Sequence, residues 1–155
     1  MEERFETSQN VELNAYHGTG ASFNEFRCFA YFTDNYNTAQ FFAKRHAAKS
    51  LVLTCALTLK NPLIVDLNGQ SWGGFWLQDT QLQNDCVKYV AANDADEEEY
   101  FKEEGLTIGF LAEYAKFLGY DGLVAYNCYE EDDRTGTQYV VFKPNNIQIR
   151  KSTKV

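Results

Sequence analysis

Three short stretches carry residue types that together could hold a flat amide and its sugar: Tyr16-His17-Gly18-Thr19-Gly20, Ala30-Tyr31-Phe32-Thr33-Asp34-Asn35 and Ala39-Gln40-Phe41-Phe42-Ala43. A planar aromatic amide is gripped by stacking on a ring. It also needs a backbone N–H and C=O pair, and a neighbouring sugar hydroxyl needs a polar partner. Tyr31 and Phe42 are the candidate rings. Gly18 is the candidate for the backbone pair, because the missing Cβ lets a ligand approach the main chain. His17 is the candidate sugar contact. Taken singly, each residue has an ordinary structural reading, and a lone aromatic is more often core. The combination within about 25 residues is what points to a site.

The elements that must position these residues follow from local pattern. Residues 11–16 alternate apolar and polar and read as a half-buried strand running into a turn at His17 and Gly18. A second strand, 29–32, carries Tyr31 and stops at Thr33-Asp34-Asn35, a good N-cap region. A helix of about twelve residues is expected next, with Ala39, Phe42, Ala43 and His46 at three- and four-residue spacing. Phe23 and Phe26 are expected to anchor the loop between the two strands. Residues 50–59 form a strongly apolar strand, read as central, closed by Asn61-Pro62, and 63–67 is a second extended piece.

Residues 68–119 read as a helical insert. Gly69 to Gly74 is a loop that lacks the Lys-Ser/Thr of a phosphate-binding motif. Helices are expected over 76–92 and 106–118, the latter capped by Gly119. Between them, 94–104 carries seven carboxylates and reads as a solvated segment. It lacks the alternating acidic loop of a calcium site. After a turn at 120–122, strands are expected at 123–126, 137–142 and 147–149, with 129–136 as an acidic hairpin loop. The sum is an α+β protein.

At 155 residues the simplest organisation is one domain over 1–155, with 1–10 a loose polar lead-in. A 45% hydrophobic and 15% aromatic content fits a folded chain rather than disorder. The net charge of −8 counts against nucleic acid as the main partner, since phosphate recognition needs clustered cations. It suits basic protein partners instead. Cys28, Cys55, Cys86 and Cys128 are widely spaced and read as buried, reduced thiols of a cytoplasmic protein. No cleavable signal, membrane-spanning run or lipidation motif is visible.

The pattern resembles the ADP-ribosyltransferase superfamily, on the side marked by a His-Tyr-Glu triad. Tyr16-His17-Gly18-Thr19 is similar to that side's first-strand His-Gly motif, and Tyr31-Phe32-Thr33-Asp34 to its second-strand segment. Phe42 falls where a second nicotinamide-stacking ring is common, and Ala39 where many members carry a serine. The strand ending in Asn61-Pro62-Leu63, the Gly119-Tyr120-Asp121-Gly122 turn and the segment from Thr137 to Pro144 resemble phage- and polyvalent-protein-associated members. The resemblance covers roughly 13–150, with the insert poorly matched. It implies a split β-sandwich of short strands, NAD as co-substrate, and a site of His17, Gly18, Thr19, Tyr31 and Phe42. Its catalytic corners would be His17, Tyr31 and position 138, where Gln138 stands in place of the usual Glu.

That substitution matters chemically. Breaking the nicotinamide–ribose bond passes through an oxocarbenium-like centre, as glycoside cleavage does. A carboxylate stabilises that charge and takes a strong hydrogen bond from the 2′-OH. Gln accepts the bond without the charge, and losing one such contact costs about 100- to 1000-fold in rate. Three readings stay open: Gln138 suffices for a slow transferase, an acid of the Glu130-Glu131-Asp132-Asp133 loop substitutes, or the site binds NAD without reacting. The functions implied are a mono-ADP-ribosyltransferase, toxin- or effector-like, acting on a host or competitor macromolecule with protein as first choice; an NAD- or ADP-ribose-binding or protein-interaction module; or an NAD glycohydrolase. RNA 2′-phosphotransfer would want a basic groove, which the charge opposes.

Overall fold

The computed structural model describes residues 11–19, 29–45, 50–93, 98–130 and 134–155. His46, Phe23, Phe26, Gly20, Cys28 and the acids Glu131, Asp132 and Asp133 lie outside these residues, as does the 1–10 lead-in. The elements in order are β1 (Val11–Thr19), β2 (Ala30–Thr33), α1 (Tyr36–Ala43), β3 (Leu51–Leu59), β4 (Pro62–Asp66), α2 (Thr80–Asn93), α3 (Glu98–Glu104), α4 (Ile108–Phe117), β5 (Gly122–Tyr129), β6 (Thr135–Val141) and β7 (Ile147–Lys154). The seven strands form one sheet in the order β4-β5-β6-β2-β1-β3-β7. This is the mixed α+β architecture expected from the sequence.

The sheet is nearly cut in two. β1 pairs with β3 over its whole length, from Val11↔Leu59 to Thr19↔Leu51, but meets β2 only at Tyr16↔Thr33. One half is therefore β4-β5-β6-β2 and the other β1-β3-β7. Side chains of both halves meet in a shared core that includes Ala15, Phe32, Leu53, Leu57, Val124, Tyr139 and Val141. A second core packs α2, α3 and α4 on the β4-β5 side, through Cys86, Val90, Phe101 and Leu111 against Leu63, Val65 and Leu123. Burying these side chains supplies the main driving force for the fold, about 25 cal/mol per Å² of apolar surface.

α1 lies on β1 and β3, where Ala39 and Ala43 pack against Val52. Its close seat depends on Gly18. A Cβ there would overlap the carbonyl oxygen of Ala39 and come within 2.8 Å of Ala43 N.

Several boundaries differ from the sequence reading. β1 does not turn at His17; His17, Gly18 and Thr19 continue the ladder opposite Leu53, Val52 and Leu51. The described α1 spans eight residues, opened by the Asn35 side chain accepting from Asn37 N and Thr38 N. α2 starts at Thr80 rather than 76. Gln70 holds Trp76 by both its backbone groups, Trp76 N donating to Oε1 and Nε2 donating to Trp76 O, each at 2.9 Å. Phe75 pairs with Leu106, so Asp79 is left to cap the helix by accepting from Leu82 N. That same bridge takes Leu106 out of α4, which Thr107 caps instead. β5, β6 and β7 all run longer than expected, and the 129–136 loop shrinks to the tip between Tyr129 and Thr135. Among the described residues no helix is long and apolar enough to cross a membrane.

Candidate active site

A cavity opens where the two half-sheets part. Its volume is about 470 Å³, and its walls include Tyr16, His17 and Gly18 from β1, Tyr31, Phe32 and Thr33 from β2, Ala39 and Phe42 from α1, and Gln138 from β6. The location follows from the pairing. Past Tyr16↔Thr33 the strands β1 and β2 diverge, so their side chains face an opening instead of a neighbour. Three neighbouring stretches and a fourth from far along the chain thus meet at one fissure.

His17 and Tyr31 are coupled directly. His17 Nδ1 lies 2.7 Å from the Tyr31 carbonyl oxygen. A carbonyl can only accept, so Nδ1 carries the proton, and the bond fixes both tautomer and ring orientation. The imidazole also leans on Phe32, with ring centroids 5.7 Å apart. Tyr31 is 44% exposed and reaches across the opening, with its hydroxyl beside Gly109 at the start of α4. Burial, and then the charge of Glu113, hold its phenol above the ordinary value, so it remains a protonated donor.

Gln138 sits in the middle of the sheet, opposite Thr33 on one side and Ala125 on the other, and its side chain lines the cavity. β2 and β6 are pinned just beyond it: Asp34 N donates to Thr137 O at 3.1 Å, and Thr137 N donates to Asp34 Oδ1 at 3.0 Å. Ala39 is buried and lines the wall, offering only a methyl where a hydroxyl would give a hydrogen bond. Thr19 is the exception among the expected site residues. It is buried at the end of β1, opposite Leu51, and is absent from the cavity wall.

The insert supplies what the motifs did not. Trp72, Thr107, Ile108 and Gly109 complete the lining. Trp72 is 46% exposed, and its carbonyl accepts from Ile108 N at 3.0 Å, which ties its loop to the start of α4. A tryptophan inside the glycine-rich Gly69–Gly74 loop was the one signal in the sequence; nothing local marked Thr107 to Gly109.

Glu130, the described acid of the 130–133 stretch, is buried. It is only 5% exposed. Thr33 Oγ1 donates to Oε1 at 2.9 Å and Thr38 Oγ1 to Oε2 at 2.5 Å. Burial pushes its carboxyl above the ordinary value, although the hydroxyls of Thr38 and Thr33 oppose the shift. Cys55, Cys86 and Cys128 are buried free thiols, each pushed up to about 12 by burial, and lie in the cores rather than at the site.

A split sheet with one helix after its second strand and the cavity at the split defines an ADP-ribosyltransferase fold. A chain of the M. tuberculosis MbcT–MbcA toxin–antitoxin complex shares it, at a TM-score of 0.50 and 15% identity over 94% of this chain and 85% of that one. Residues 11–154 match the family described as ADP-ribosyltransferase in polyvalent proteins, and the chain belongs to that family. No curated protein sequence matches it. The chain is thus an ADP-ribosyltransferase domain, of a family whose co-substrate is NAD.

Proposed function

We propose that this chain cleaves NAD in the fissure cavity and transfers a single ADP-ribose to a macromolecule, with protein the first-choice acceptor. The observation that carries this reading is the convergence of His17, Tyr31, Phe42 and Gln138 on one cavity of about 470 Å³. The oriented His17 ring contacts the ribose. Tyr31 and Phe42 face the nicotinamide as stacking surfaces. Gly18 lines the same wall, and its missing Cβ brings α1, with Ala39 and Phe42, close against the cavity. Gln138 accepts from the ribose 2′-OH and, being neutral, leaves the developing positive charge without a carboxylate at that position.

A toxin- or effector-type role in the cytoplasm, on a host or competitor target, fits the neighbour's toxin–antitoxin setting and the resemblance of the sequence to phage- and polyvalent-protein-associated members. The alternative with a specific observation behind it is a binding module, favoured by Gln138 and by the methyl of Ala39.

The test is incubation with NAD labelled on the adenine side, with and without whole-cell lysate. The expected result is nicotinamide release that rises with lysate, together with a labelled macromolecule. Free ADP-ribose as the sole product would make the chain a glycohydrolase. NAD binding without release would make it a binding module.

A further inference from the structure

A second cavity of about 220 Å³ adjoins the first. The two share Phe42, Trp72 and Gln138, and the second adds Thr38, Ser71, Tyr129 and Glu130. We infer that this smaller cavity is the acceptor subsite for a guanidinium side chain, with Glu130 as the base that takes its proton. The inference rests on the transferase reading above and adds to it a substrate class and a residue.

Three observations carry it. The first is the position of the acid. Gly136 and Gln138 are two residues apart on β6 and so point to the same face. A Cβ on Gly136 would lie 2.6 Å from Glu130 Oε1, 2.7 Å from its Cδ and 2.8 Å from Oε2. The Glu130 carboxylate therefore occupies the space a residue-136 side chain would fill. It stands on the Gln138 face, one strand step of about 7 Å from Gln138. The backbone of the hairpin tip delivers it there, with Glu130 N donating to Arg134 O at 2.7 Å.

The second is its remaining capacity. A carboxylate has about four acceptor positions. Thr33 and Thr38 take one on each oxygen. The carboxylate also lines the cavity, so an incoming donor can meet it. Thr38 and Thr33 hold it from α1 and β2, Asp34 adds negative charge from the β2 side, and Arg134 opposes from the β6 side.

The third is the surrounding chemistry. Trp72 and Tyr129 are 46% and 42% exposed, and with Phe42 they set aromatic faces beside one carboxylate. A planar cation that stacks and donates in a fork fits such a site better than an ammonium or a hydroxyl. The overall charge of −8 draws in basic segments.

The step balances. A guanidine nitrogen forms a bond to the ribose carbon that carries nicotinamide. The bond from that carbon to the nicotinamide nitrogen breaks, and nicotinamide leaves neutral with the electron pair. The proton lost by the guanidine nitrogen passes to Glu130.

The test uses agmatine as the guanidine probe with the full chain, the parent beside Glu130→Gln and Ser71→Arg. Ser71 is exposed, so its replacement spares the core while placing a competing guanidinium in the cavity. The expected result is agmatine binding to the parent by NMR titration. Both variants weaken it more than about tenfold, and Glu130→Gln lowers ADP-ribosyl-agmatine formation by about 100-fold or more. Affinity for NAD stays within about threefold in both, since neither residue lines the larger cavity. Equal agmatine binding and transfer in parent and variants overturns the inference. Labelled protein without agmatine binding also overturns it and leaves the transferase reading standing. Agmatine binding without nicotinamide release overturns the transferase reading and keeps the subsite.

Discussion

The two adjoining cavities differ in what they offer a ligand. The larger presents rings, a glycine backbone, an oriented imidazole and a neutral Gln138; the smaller presents a single buried carboxylate between aromatic walls. Both use Phe42, Trp72 and Gln138. The contrast separates grip from proton transfer. On the proposed reading, a flat co-substrate would be held where charge is low, and the group that must lose a proton would be held where a base waits. Gln138 stands on β6 where the sequence resemblance implies an acid, yet a carboxylate reaches the same face from the hairpin, over the bare Cα of Gly136.

The change expected to do most harm removes the frame that both cavities share. Gly18→Val would push α1 off β1 through contact with Ala39 and Ala43. Overpacking costs about 3 kcal/mol, which lowers Tm by about 6–12 °C in a chain of this length. NAD binding should vanish with it. An unchanged melting curve would show that α1 is not seated as described.

Gln138→Glu probes the neutral cavity next. Adding the charge should raise nicotinamide release by about 100- to 1000-fold. No gain, with NAD still bound, would mean that the reaction's need for a carboxylate is met elsewhere, and the division between the cavities would blur. Tyr31→Ala removes one stacking face and should weaken NAD binding about tenfold, as measured by calorimetry. Unaltered affinity would remove Tyr31 from the nicotinamide site.

The smallest effect concerns the charged cavity. Burial holds the Glu130 carboxyl above its ordinary value near 4.5. The folded chain therefore keeps that proton to higher pH than the unfolded chain does. Relative to Glu130→Gln, parent stability should fall as pH rises from about 4.5 through the raised folded value, then level off. Acceptor transfer should run the other way, appearing only as the carboxyl ionises. Urea melts across this window check the first trend, and transfer rates to agmatine check the second. Parallel pH profiles for parent and variant would leave Glu130 without a titration in the folded state.

The expected site residues that line the larger cavity were legible because short-range pattern positions them. The end of the first strand pattern located His17, the second strand carried Tyr31, and the Asn35 cap with helical spacing placed Phe42. Gln138 was found through the strand that ends at Lys143-Pro144. What stayed hidden depends on packing between distant segments. Trp72 and Gly109 arrive at the site only because Phe75 bridges Leu106 and Trp72 O accepts from Ile108 N. Glu130 sits in an acidic stretch that reads as solvent-facing. Its burial requires Thr33, Thr38 and the absent Cβ of Gly136, and these residues come from three other places in the chain. The reach of β1 past His17 was equally invisible, since it is β3 that extends the ladder.

Nicotinamide release from NAD by the purified chain, compared with His17→Ala under the same conditions, tests the central claim most directly. Release by the parent and a loss of about 100-fold or more in the variant are expected if the ring fixed by the Tyr31 carbonyl holds the ribose as proposed. A variant that binds NAD and releases nicotinamide as the parent does would contradict it and move the reaction out of the fissure.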